Sequence, residues 1–463
     1  MSTTANVNTS NRKQNLFSLS LASFIVVSGY SVITPFLPIY ANDILYEFNI
    51  LGFTVGIALQ IGFITAGNLL MKLFLSPAYG DLSDIRGRKP VIVLGMATYT
   101  LLMAGYGLAN DFLSLFTLRV LSGVASAAVW PVGQALVADT SDKESTGKNL
   151  GLYMLSMMLG LTTGPFIGYG FFTALSGAGL SELTSYRFTF VCVSLLGLLG
   201  TLCAVFLVTD PITSRLDHLS RKELYGSAIK ALAVRTIQSP VFLARTITGT
   251  ASYRTKSIYS VYLVAMINGF ATALLIPVVT LFLEDYYFLD PGSIALIIGI
   301  VGVLAFAGAP AGGTLSDKIG RKRTVVASGL SNGLIMGLLG VRTGIITLII
   351  IFVLLRFSFT VMQPSFRALQ SDLVPEKVRG KEFGIVDASF NTGSVVGPII
   401  GGYLYDLYTN INFDLGNGLL YIGSGVPFAI SGALIILANL ILLVFLRQSY
   451  AIKVDQDVTS ISS

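Results

Sequence analysis

Gly80-Asp81-Leu82-Ser83-Asp84-Ile85-Arg86-Gly87-Arg88-Lys89 and Gly313-Thr314-Leu315-Ser316-Asp317-Lys318-Ile319-Gly320-Arg321-Lys322 are two copies of one pattern, 233 residues apart. The same offset relates Pro131 to Pro364, Asp139 to Asp372, Gly147-Lys148 to Gly380-Lys381 and Gly151 to Gly384. It also relates Gly160, Gly164, Pro165 and Gly168 to Gly393, Gly397, Pro398 and Gly401. One constant offset over so many positions marks a duplicated chain. Each copy is a short polar stretch between long apolar ones, with glycines suited to a sharp turn because they carry no Cβ.

The apolar stretches set the solvent. Of 463 residues, 53% are hydrophobic and 12% charged, and mean hydropathy is +0.75. A soluble domain carries roughly 25% charged residues, so lipid must surround much of this chain. A helix crosses a bilayer with roughly 20 apolar residues. Segments 16–40, 51–79, 91–109, 112–138, 148–173, 186–209, 258–284, 291–315, 324–341, 345–371, 382–408 and 419–447 qualify. They predict an all-α membrane protein of twelve transmembrane helices in two pseudo-symmetric six-helix bundles. Its parts are a tail at 1–15, a bundle at 16–209, a basic linker at 210–257, a second bundle at 258–447 and a tail at 448–463. Duplicated halves are a transporter architecture, with the solute bound near the midplane between them.

Charge orients the spans. An even number leaves both ends on one side, and that side holds Arg12, Lys13, Arg86, Arg88, Lys89, Lys148, Lys318, Arg321, Lys322, Arg323 and the basic linker. The other side keeps only Arg187 and Arg342. Basic residues stay in the cytoplasm, so both termini are expected there, in a protein of the cell membrane. The same bias explains the net charge of +6 without nucleic acid. The first apolar run is too long for a signal-peptide core and is expected to stay as span 1. Cys192 and Cys203 lie in one span, about 16 Å apart along its axis, and cannot pair. No metalloprotease, P-loop or nucleophile-elbow motif occurs, and the single histidine, His218, is in the linker. An enzyme, a metal site and a bound cofactor are therefore not expected.

These residues make the chain resemble the major facilitator superfamily. The loop after span 2 matches that family's G-x-L-x-D-R-x-G-R-K signature, with Ile85 where arginine is usual. Span 4 resembles its second motif through Arg119 and Gly123, and span 5 carries Gly160-Leu-Thr-Thr-Gly164-Pro165-Phe-Ile-Gly168. The last is similar to the glycine–proline motif of the drug-exporting antiporter branch, with Tyr169 in place of its final glycine. The resemblance implies two bundles that exchange inward- and outward-open states. It implies a cytoplasmic latch made of Gly80, Asp84, Gly87, Arg88 and Asp139, and again of Gly313, Asp317, Gly320, Arg321 and Asp372. Asp84 would sit at the start of span 11 in the outward-open state. The glycines of spans 5 and 11 permit close packing, and the resemblance implies that those of span 5 seal the outer half between the bundles and favour export.

Charges inside the spans point to the cargo. Lys72, Arg119 and Arg356 lie deep, whereas Arg367 is expected to reach the cytoplasmic interface. A cation within a span costs at least ~2.5 kcal/mol and so faces protein or water. Asn68, Lys72 and Ser76 share one helix face, as do Arg356, Thr360, Gln363 and Arg367. With Thr34 and Asn268 they predict a substrate cavity of Lys72, Arg119, Arg356, Gln363, Asn268, Thr34 and Asn68. Such a cavity favours anionic or neutral solutes over cations. Carboxylates are nearly absent at this depth. Span 1 has none, which weakens a standard proton site, and Asp387 is the remaining candidate for proton coupling. The sequence therefore reads as a monomeric exporter driven by a proton gradient, with a small-molecule substrate and membrane lipid as partners. An importer or facilitator of organic anions or sugars is the alternative. A non-transporting receptor or a channel is the alternative of a different class.

Overall fold

The computed structural model describes residues 9–50, 52–142, 145–209, 256–374, 379–416 and 418–446. Most of the linker expected at 210–257, the tail beyond 446, and Lys143 and Lys377 lie outside the described residues. The helices follow the apolar segments. Spans 1 to 6 are Thr9–Ile44, Ile57–Arg86, Arg88–Tyr106, Phe112–Thr140, Thr146–Gly177 and Glu182–Leu207. Span 7 is Lys256–Leu274 with Val278–Tyr287, and span 8 is Pro291–Ala305 with Gly308–Ile319. Spans 9 to 12 are Arg321–Leu338, Ile345–Asp372, Arg379–Tyr408 and Val426–Phe445.

Nine described segments are long and apolar enough to cross a bilayer by themselves. Spans 3, 9 and 11 are not among them. Span 9 is the duplicate of span 3, and both begin on the Arg-Lys pair that closes the repeated motif, which lowers their hydropathy. Spans 7 and 8 are each broken, which the apolar runs hid. Pro277 and Pro310 have no N–H to give to the preceding turn and clash with the carbonyl four residues back. The chain responds with tighter bonds, such as Ile276 N–H to the Ala273 carbonyl (3.1 Å) and Phe306 N–H to the Val303 carbonyl (3.1 Å). Two short hairpins stand before spans 2 and 12, and the second strand of each takes residues expected to be helix. Phe48–Ile50 pairs with Phe53–Val55, and Asn412–Asp414 pairs with Leu420–Ile422. Phe53–Val55 and Leu420–Ile422 are apolar enough to continue the hydropathy of spans 2 and 12, which is why the expected spans include them.

Both copies of the repeated motif turn on a glycine in the left-handed region, with φ of 94° at Gly87 and 93° at Gly320. Any other L-residue is strained there. The near-identical angles show the duplication in the backbone itself. Within the first half, span 1 packs on spans 5 and 6, and span 4 packs on spans 2 and 3. Within the second, span 7 packs on spans 11 and 12, and span 10 packs on spans 8 and 9. The halves meet along two main seams, span 2 with span 11 and span 5 with span 8. The duplication exchanges these seams, as a pseudo-twofold axis between the halves requires. We call the side where span 1 begins and span 12 ends the basic face and the other the far face.

Candidate functional site

Glycine environments locate where the halves touch. A Cβ built on Gly62 would strike the Pro398 carbonyl, and one on Gly402 would strike the Ala58 carbonyl. A Cβ on Gly299 would lie 2.7 Å from the Phe166 ring, and one on Gly302 would lie 3.1 Å from the Thr162 methyl. All these residues lie in the far-face halves of spans 2, 11, 5 and 8. Toward the basic face, Gly80, Gly147, Gly151, Gly313 and Gly384 have nothing within 4 Å of such a Cβ. Among the described residues, then, the halves touch backbone to backbone and ring to backbone toward the far face, and no such glycine contact joins them toward the basic face.

The part of the spans toward the basic face holds a cavity of about 440 Å³ lined from both halves. Lys72, Ser76, Trp130 and Gln134 come from spans 2 and 4. Asn268, Gln363, Arg367, Gln370, Asp387 and Asn391 come from spans 7, 10 and 11, with Phe359, Met362, Phe366 and Phe390 as apolar wall. The volume suits a drug-sized molecule. Lys72 Nζ lies 5.0 Å from the Trp130 ring centroid, within range of a cation–π contact. Arg367 donates to Asp387 Oδ1 at 2.5 Å and to Gln370 Oε1 at 3.4 Å. The charged wall is therefore two cations against one carboxylate, and that carboxylate is already paired. Asn268 Oδ1 and Gln370 Nε2 are buried without a hydrogen-bond partner among the described residues. An acceptor and a donor left unmet in the wall are costly unless water or a ligand meets them.

Of the seven expected cavity residues, Lys72, Asn268 and Gln363 meet here, with Asp387 beside them. Arg119, Asn68, Arg356 and Thr34 do not line this cavity. Asn68 and Arg119 are buried where Gly123 lets spans 2 and 4 close up, and Asn68 Nδ2 donates to the Arg119 carbonyl at 3.3 Å. The Arg119 guanidinium lies 5.8 Å from the Tyr30 ring, and its Nε and Nη1 have no partner. Arg356 is exposed on the face of span 10 that carries Gln363 and Arg367, about 10 Å nearer the far face. Thr34 is exposed between buried neighbours of span 1. Arg367 does not reach out to the interface but turns into the cavity to meet Asp387. Trp130 was missed, although it is the only tryptophan and directly precedes the repeated proline.

The motif residues divide by role. Arg88 binds Asp84 at 2.5 Å and Asp139 at 2.9 Å, and also donates to Ser83 Oγ at 2.5 Å. Arg321 pairs with Asp372 at the duplicated position and donates to the Ala368 carbonyl at 3.0 Å. Asp84 is thus held within its own loop in this conformer, and Asp317 is exposed. The glycine–proline motifs turn their glycines into their own half. Gly160, Gly164 and Gly168 face span 1, and Gly393, Gly397 and Gly401 face span 7. The seal between halves is made by residues between and beyond them: Thr162, Phe166 and Tyr169 against span 8, Pro398 and Gly402 against span 2. Pro165 is buried in span 5. At the far face a second charged group gathers, with Asp43, Glu182, Glu284 and Asp285 close enough to feel one another.

A duplicated helical protein of twelve spans whose described residues line one cavity from both halves has the architecture of a membrane transporter. The Major Facilitator Superfamily profile matches residues 19–256 and 261–458, and the chain belongs to that family. It is 24% identical over 419 residues to "Multidrug resistance protein 2" of Bacillus subtilis (strain 168), covering 90% of this chain and 95% of that protein. It is 23% identical over 418 residues to "Quinolone resistance protein NorA" of Staphylococcus aureus (strain Mu50 / ATCC 700699), covering 89% and 95%. Among solved structures, the inward-open xylose transporter XylE from E. coli matches with a TM-score of 0.67 at 16% identity, over 94% of this chain and 98% of that one. A mutant form of the nucleoside transporter NupG matches with a TM-score of 0.68 at 13% identity, over 93% and 100%. The structural likenesses establish the fold. The sequence relatives are transporters, not enzymes.

Proposed function

We propose that the protein is a secondary active exporter that works by alternating access and drives a small organic solute out of the cell in exchange for protons. One observation carries the reading: among the described residues the cavity is lined by both halves in the part of the spans toward the basic face, while the halves are in contact toward the far face. The positive-inside bias makes the basic face cytoplasmic, so this conformer is the one in which an exporter loads its cargo. The relatives named for multidrug and quinolone resistance support export in this chain. The protein is read as a monomer of the cell membrane with both termini cytoplasmic, its partners the solute and lipid.

The cavity's chemistry narrows the cargo. Among the described residues the wall sets two cations, Lys72 and Arg367, against the single carboxylate of Asp387, which pairs with Arg367 and also faces Lys72. Anionic or neutral amphipathic solutes are therefore favoured over cations, with aromatic parts against Phe366, Phe390 and Trp130. Asp387 is the candidate proton carrier, since protonation would release Arg367 for the solute. A second reading has a specific observation behind it. Asp387 already sits in an ion pair, which suits a facilitator or importer that needs no proton. Proteoliposomes with an imposed pH gradient separate the two. Proton flux triggered by an organic anion, and lost in Asp387→Asn, supports antiport. Solute equilibration with no proton flux sinks the exporter reading.

A further inference from the structure

We propose that Asp406 is an inter-bundle clasp: it caps span 2 from span 11 and thereby holds the far face shut. Span 2 begins at Gly56, which offers no side chain to its first amides. Every helix leaves its first four N–H groups unsatisfied. Spans 4, 6 and 8, which also start at the far face, cap themselves with Asp111, Ser181 and Asp290. Spans 10 and 12 start on glycine as span 2 does, without a side-chain cap. Span 2 differs from both in having a carboxylate brought from the other half. Asp406 Oδ1 accepts from Ala58 N–H at 3.1 Å, and Oδ2 accepts from Leu59 N–H at 2.8 Å.

The two bonds span 348 and 347 residues of sequence and cross the seam between the bundles. A carboxylate at a helix N-terminus is also favoured by the helix dipole. The surroundings are shaped for it. A Cβ on Gly56 would run into the Asp406 carboxylate, and Gly402, one turn earlier in span 11, lies against Ala58. The duplicated seam provides the contrast. The position equivalent to Asp406 is Thr173, whose methyl lies 3.4 Å from a Cβ on Gly292 and whose hydroxyl donates to the Tyr169 carbonyl of its own helix at 2.7 Å. Span 8 has no need of it, because Asp290 Oδ2 already accepts from Ser293 N–H at 3.0 Å. One seam is therefore apolar and self-capped, and the other is tied by a shared cap. Opening the far face parts spans 2 and 11 and strips span 2 of this cap. That bond exists in one state and not in the other, which is what a ligand-independent bias between states requires.

The test uses the full chain in liposomes, with Cys192 and Cys203 replaced by alanine and spin labels at Leu108→Cys and Leu415→Cys, one on each half at the far face. Asp406→Ala should raise the ratio of far-open to far-closed distances about tenfold, the order of a lost N-cap, and lower the thermal midpoint. Asp406→Asn, whose one amide oxygen can meet one N–H well, should shift the ratio less. The deciding variant is Gly56→Asp combined with Asp406→Ala, which gives span 2 a cap of its own. A clasp predicts that the midpoint recovers while the raised ratio persists. If the ratio recovers too, or never moved in Asp406→Ala, Asp406 is only a helix cap and the proposal is overturned. The clasp rests on the alternating-access reading. A parent protein whose far-face distance never changes under any solute or gradient overturns both, whereas a parent that opens and an Asp406→Ala variant that matches it overturns the clasp alone.

Discussion

Adding one methyl group at Gly402 should unseal the far face. In the closed conformer the alanine Cβ would stand 2.5 Å from the Ala58 carbonyl carbon and 2.9 Å from the Leu59 Cα, where 3.4 Å is an ordinary contact. The atoms it meets are backbone, so no rotamer change relieves the clash. Spans 2 and 11 must part by roughly 0.5–1 Å, a gap that forfeits a quarter to a half of the dispersion energy along the seam. Overpacking of this kind costs about 1–3 kcal/mol. The far-open state, with the helices apart, bears none of it. Gly402→Ala should therefore move the ratio of far-open to far-closed molecules by about 5- to 150-fold. A cysteine in place of Leu59, which is 5% exposed when closed, reports the change through its labelling rate with a membrane-impermeant maleimide added from the far side. Gly337→Ala is the control, because its Cβ meets nothing within 4 Å. Equal labelling of the two variants would refute the view that backbone contact at Gly402 closes this face.

Other predictions concern the cavity and the motifs. Lys72→Met should slow transport of an organic anion about tenfold and leave a neutral analogue of the same shape unchanged, since one cavity cation is worth on the order of 1 kcal/mol or more in a partly desolvated site; initial rates in proteoliposomes for the matched pair measure it. Gly87→Ala and Gly320→Ala should each lower stability by roughly 1–2 kcal/mol, because both turns need a positive φ. The double variant should lose the sum, as distant sites do, which thermal unfolding in lipid nanodiscs can check. The duplicated ion pairs should not be equal. Arg88 is 12% exposed and ties two acids, whereas Arg321 and Asp372 are 35% and 52% exposed. Arg88→Gln should cost about 1.5–3 kcal/mol, and Arg321→Gln at most about 1 kcal/mol, by the same unfolding measurement.

Much of this architecture could be read from the chain because bilayers impose a length and a charge rule on it. The repeat fixed the pairing of the halves, and Gly87 and Gly320 announced their turns. What stayed hidden was direction around each helix. Glycines at four-residue spacing form one stripe on span 5, but spacing does not say which neighbour the stripe meets. It meets span 1, and the seal between halves falls to Phe166 and Thr162, which look like ordinary span residues. Lys72, Asn268 and Gln363, which share the cavity wall, stand out in the sequence because a polar side chain within a span is expensive. Arg119 and Asn68 obeyed the same rule for another reason, spans 2 and 4 closing over them. Asp406 was visible only as an acid near a span end. Its signal is relational: a helix that begins on Gly56 without a cap, and a carboxylate on the span that the duplication places beside it.

Alternating access requires the two halves to close one face as they open the other. Spin labels at Leu108→Cys and Leu415→Cys read the far face, and labels at Lys148→Cys and Lys318→Cys read spans 5 and 8 at the basic face. In liposomes, a saturating organic anion and an acidic exterior should lengthen the first distance and shorten the second in the same molecules. Two distances that stay fixed while labelled solute still crosses the membrane would contradict the account.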